Sequence, residues 1–202
     1  MSSTVGHMAE AIIYDATLNP TKDELLSEHS PIVEPLGSYR AVDRDGEVGI
    51  EVLVGRDAND ALRQFGVSYR EAGAKLDDEL TPMDHSVLGA RSVAPLTTDP
   101  VAVRELIQTI LVGGEGGSFS NGEPIFAVRG TGQTPDVTVS AAEIEDHNEY
   151  TSIGSVDIDG EAHRYQLRIT REVLDAQVAK PEDLALVRAD DGAILMRLEV
   201  WK

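Results

Sequence analysis

The sequence predicts an α+β fold: a mostly antiparallel, twisted β-sheet with one principal amphipathic helix packed on it, followed by a second β-rich lobe. Three observations predict it. Apolar residues alternate with a period of two in several segments, as half-buried strands require. Asp-Gly pairs at 45–46, 159–160 and 191–192 are hairpin-turn signals. One segment only, between Asp99-Pro100 and Gly113-Gly114, carries a long stripe at helical spacing.

Taken in order, "MSSTVGHM" is polar and aperiodic, so residues 1–8 are expected to be a disordered arm or a cloning remnant. "AEAIIYDATL" (9–18) has the β-branched and aromatic content of a strand. Thr21 is placed to cap a short helix bearing Leu25 and Leu26, after which Pro31 and Pro35 are expected to break the chain. "LGSYRAVD" and "EVGIEVLVG" read as two strands joined by a turn around Asp43 to Gly46. "ALRQFGVSYRE" alternates cleanly and reads as another antiparallel strand. The helix is "DPVAVRELIQTILVGG": Asp99 at the N-cap, Pro100 at N1, and Val103, Leu106, Ile107, Ile110 and Leu111 on one face. "GGEGGSFSNGEP" (113–124) is the one low-complexity stretch and is expected to link two lobes, 9–114 and 115–202, forming one compact unit. Beyond it, "PIFAVRG", "DVTVSA", "GSVDIDGEAHRYQLRIT" and "AILMRLEVWK" read as strands, "EIEDHNEY" as a solvated turn, and "REVLDAQ" or "PEDLALV" as short helical turns.

Composition narrows function. Against 17 Lys and Arg stand 36 Asp and Glu, a formal net charge of −19. That field opposes binding to phosphate backbones and anionic lipid, so neither nucleic acid nor membrane is an expected partner. Cysteine is absent, which removes disulfides, thiolate nucleophiles and Cys-based metal sites. No apolar run approaches the roughly 18 residues of a membrane span, and a cytoplasmic location is expected.

Four motifs suggest chemistry. "PMDHSVLGAR" (82–91) sets Asp84, His85 and Ser86 side by side, the residue types of a hydrolase triad. Neighbours in a strand point to opposite faces, and in a helix they diverge by about 100°, so a relay is not expected. A local role is expected instead, with Asp84 or Ser86 bonding backbone and Val87 and Leu88 anchoring core. The Gly-rich run has no lysine and follows a helix, so it is not a phosphate loop. Asp157, Asp159 and Glu161 in "VDIDGE" would share a strand face, but Asp159-Gly160 reads as a turn. The five histidines form no zinc-binding pair. No catalytic residue, cofactor or metal ligand is assigned.

The segments "YDATLNPTKDELL", "LGSYRAVDRDGEVGIEVLV", "FGVSYRE", "MDHSVLGARSV" and "DPVAVRELIQTILVGG" occur in that order. The set, over roughly residues 9–114, resembles small stand-alone proteins containing a maltokinase N-terminal cap-like domain. In full-length maltokinases that cap precedes a kinase body and packs on its N-terminal lobe. The family's run after "HSVLG" is Arg-Trp-Val ending in Tyr-Asp, whereas this chain has Arg91-Ser92-Val93-Ala94-Pro95. The kinase residues are missing, so the resemblance implies a non-catalytic interaction or regulatory module, by analogy in maltose, trehalose or α-glucan metabolism, with a protein partner or self-association. The alternative is a sugar- or sugar-phosphate-binding module. Tyr39, Arg40, His85 and Arg91 are the candidate ligand or interaction residues.

Overall fold

The computed structural model describes residues 10–11, 14–174 and 177–202. The expected arm over 1–8, with His7, lies outside them. The N-terminal half runs β1 (Glu10–Ala11), β2 (Leu18–Asn19), α1 (Lys22–His29), β3 (Ile32–Val42), β4 (Gly49–Asp57), β5 (Leu62–Glu71), β6 (Thr81–His85), β7 (Gly89–Pro95) and α2 (Pro100–Val112). Next come β8 (Ser118–Phe119), β9 (Val128–Gly130), β10 (Val139–Asn148), β11 (Thr151–Ile158), β12 (Glu161–Ile169), β13 (Leu184–Arg188) and β14 (Ile194–Trp201). They build two six-stranded antiparallel sheets, β2-β6-β7-β5-β4-β3 and β10-β11-β12-β14-β13-β9, while β1 and β8 form a short parallel pair. The α+β architecture expected from the sequence is the one observed.

The helix α2 is buried between the sheets. Its stripe of Val103, Leu106, Ile107 and Ile110 shares one core with Tyr39, Ile50, Val52 and Val54 of the first sheet and Tyr165, Leu167, Met196 and Leu198 of the second. Asp99 caps it, accepting from the N–H groups of Val101 and Ala102, and Pro100 occupies the first turn. Gly113 ends it at φ 69°, a left-handed conformation that side chains resist. The helix end then meets β9 closely: a Cβ on Gly130 would stand 2.1 Å from the Thr109 carbonyl oxygen. This close approach lets the N–H groups of Gly132 and Thr134 satisfy the carbonyls of Ile110 and Leu111.

Several expectations need correction. Among the described residues of 9–18, only Glu10–Ala11 and Leu18 are in strands; Tyr14–Thr17 form an irregular strap, and residues 9, 12 and 13 lie outside the described residues. Pro35 does not break the chain. It sits in β3 at the sheet edge, beside register shifts at Ile32/Glu34 and Pro35/Gly37, where a missing N–H is tolerated. The hydrophilic "EIEDHN" is strand, not turn, because β10 is an edge whose outward positions meet solvent. "PEDLALV" gives a turn at Lys180–Asp183 and then β13, and "REVLDAQ" forms no helix among its described residues. The Gly-rich crossing is fastened: the Gly116 N–H donates to the Val128 carbonyl and the Gly117 N–H to that of Arg40.

Candidate functional site

The first sheet has two faces of different character. Alternation puts Tyr39, Ile50, Val52 and Gln64 against α2 and the second sheet, while register puts Arg40, Glu51, Tyr69, Arg91, Met83 and His85 on the opposite face. Helix α1 covers only part of that second face. It is fixed by a capping box, in which Thr21 and Glu24 exchange side-chain-to-backbone bonds, and it packs Leu25 and Leu26 on Leu53, Phe65, Val67 and Val93. The remainder of the face is open as a cleft of about 820 Å³. Leu18, Tyr14 and Ala16 of the strap form one wall, with Leu88 and His85 of the β6–β7 turn beside them.

Beneath the lining residues Lys22, Arg40 and Tyr69 lies Glu51, 1 % exposed. Its carboxylate accepts from Lys22 Nζ at 2.7 Å, Ser38 Oγ at 2.6 Å and the Tyr69 hydroxyl at 2.9 Å, and pairs with Arg40 Nη2 at 3.2 Å. Burial pushes the carboxyl pKa up, but the charges of Arg40 and Lys22, with the hydrogen bonds from Lys22 and Ser38, outweigh it and hold the group at about 2. Burial, reinforced by Glu51, drives the Tyr69 phenol well above its ordinary value. Two further cations border the cleft. Arg70 turns to the α2 face, closed on Asp99 by bonds of 2.7 and 2.6 Å, whereas Arg91 lies on the cleft face and stands without an ion pair among the described residues.

Asp84, His85 and Ser86 are not brought together as a relay. His85 Nδ1 accepts from the N–H groups of Val87 and Leu88, and Ser86 Oγ accepts from the Thr17 N–H while its own N–H donates to the Thr17 carbonyl. Asp84 lies exposed, with its register on the other face. His85 therefore organises the turn, and Ser86 ties the strap to it. Val87 and Leu88, expected as core anchors, are 55 % and 42 % exposed, because the hairpin tip projects beyond the sheet. The carboxylates of "VDIDGE" are engaged separately: Asp157 with Ser140, Asp159 with the Thr138 N–H, and Glu161 with Lys202.

Of the four candidate residues, Arg40, His85 and Arg91 line the cleft. Tyr39 does not: it is buried in the core, its hydroxyl donating to Gln64 Oε1 at 2.8 Å. Lys22, Glu51 and Tyr69 were not anticipated. A legible signal existed for Glu51, since one carboxylate interrupts the apolar run Ile50–Val54, and a charge there must be paired. No family model and no curated protein matches this chain.

Proposed function

We propose that the protein is a small-molecule-binding module whose ligand seats in the cleft beside α1. The observation that carries this reading is the cleft itself. Its volume of about 820 Å³ lies within the range of ligand sites. Its walls combine aromatic and apolar surface from Tyr14, Leu18 and Met83 with three cations, Lys22, Arg40 and Arg91, in a chain whose net charge is −19. Glu51 holds Lys22 and Arg40 in place, so the polar part of the site is pre-organised.

Thermal-shift and calorimetric screening with sugars, sugar phosphates, nucleotides and small carboxylic acids tests it. At least one class is expected to raise Tm, and Ala16→Trp, which fills the cleft from its strap wall, is expected to abolish that rise. No stabilisation by any class, or stabilisation that survives Ala16→Trp, would sink the reading.

A second reading, a protein-interaction module, is favoured by one observation: Tyr14, Val87 and Leu88 are exposed on one lip, with Tyr14 edge-on to the His85 ring. The cap-like segment order is what would direct such a partner towards maltose, trehalose or α-glucan metabolism. Crosslinked co-purification with a Val87→Asp variant as control, a residue outside the cleft lining, separates it from the first.

A further inference from the structure

The cations lining or bordering the cleft are not equivalent. Lys22 is closed on Glu51, and Arg70 on Asp99. Arg40 reaches Glu51 through Nη2 only, and its buried Nε has no hydrogen-bond partner. Arg91, half-buried, has neither hydrogen bond nor ion pair among the described residues, although Glu71 stands opposite it in the β5–β7 ladder. His85 adds a donor. Because Nδ1 accepts two backbone N–H groups, the ring hydrogen sits on Nε2 in the neutral tautomer. Burial, then the nearby charges of Arg91 and Arg40, lower the pKa of this ring. A guanidinium fork, a second guanidinium edge and an imidazole N–H together match the oxygens of a carboxylate or phosphate.

We propose that Arg91, His85 and Arg40 form an anion-binding corner of the cleft, which takes the phosphate or carboxylate group of a small organic ligand while Tyr14 and Leu88 cover its less polar part. This rests on the binding-module reading and names the ligand class. Glu47 and Glu71, exposed on the rim, limit the charge the cleft attracts and offer acceptors to ligand hydroxyls.

The test is a heteronuclear NMR titration of the full chain, following arginine Nε–H and His85 ring signals. Sodium phosphate and sodium acetate are compared at constant ionic strength, with sodium chloride as the blank. Saturable shifts confined to Arg91, Arg40 and His85 are expected. Arg91→Gln should weaken binding by about tenfold or more, and Arg91→Lys by less. Arg164→Gln, which alters a guanidinium paired with Glu145 on the other sheet, should leave binding unchanged. Preference for phosphate assigns a phosphate ester, and preference for acetate a carboxylate; both support the corner. Shifts that do not saturate, shifts shared by all arginines, or equal affinity in Arg91→Gln would overturn it. Silence to both anions would also overturn it. A neutral ligand from the screen that still stabilises the protein would then leave the binding module standing, whereas failure of every class would remove both.

Discussion

Glu51 sits in the middle of β4 between apolar neighbours, and four groups from three elements converge on it. Its folded pKa of about 2 lies below the ordinary 4.5, so the unfolded chain binds the extra proton between those values. The stability it contributes is present above pH about 4.5 and is lost as pH falls towards about 2; by linkage it amounts to about 3 kcal/mol. Glu51→Gln is therefore expected to destabilise the protein by about 3 kcal/mol at neutral pH, with the gap closing on acidification. Urea unfolding of both proteins at several pH values checks this, and a pH-independent gap would refute it. At this scale the sequence was only partly legible. Arg40, His85 and Arg91 were identifiable as polar groups on strands, but Tyr39 and Arg40 are adjacent and face opposite sides. Which side is core was settled by α2 and the second sheet, whose packing no local pattern records.

Among the elements, α2 is the one whose sequence determines most. Its N-cap, N1 proline, apolar stripe and left-handed glycine were all readable, because each depends on residues within a few positions. Its energetics were not. A lost cap costs roughly 1 kcal/mol, but Asp99 is fully buried and also closes on Arg70, whose side chain is 15 % exposed. Asp99→Ala strands that guanidinium, so the expected loss is about 3–5 kcal/mol. A double-mutant cycle with Arg70→Met measures the coupling, and a loss near that of a cap alone would show the pair to be idle. Strand β10 shows the opposite limit. Its last four residues, Glu145, Asp146, His147 and Asn148, are all exposed, so no alternation marks that stretch as strand. Its existence follows from pairing with β11 across the Glu149-Tyr150 turn, a tight hairpin with none of the Asn-Gly or Asp-Gly signals that mark other turns.

Over the whole molecule, the two sheets share a core and a polar tie. Gln64 accepts from Tyr39 and donates from Nε2 to the carbonyls of Thr170 and Leu195, joining β5 to the C-terminal half. The Gly-rich crossing adds backbone bonds that its composition concealed, since no side chain makes them. The expected consequence is cooperative unfolding. Trp201 fluorescence, which reports β14, and far-ultraviolet circular dichroism should give one coincident urea midpoint, whereas two midpoints would mean that the lobes melt separately. The strap from Tyr14 to Leu18 carries a practical lesson for anyone preparing the protein. Because this strap is a wall of the cleft, a label or surface linkage attached at Tyr14 or Asp15 would stand at the mouth of the site under assay. Lys202 follows β14 in the other sheet and is not part of the cleft lining, so attachment through its side chain leaves that mouth unobstructed.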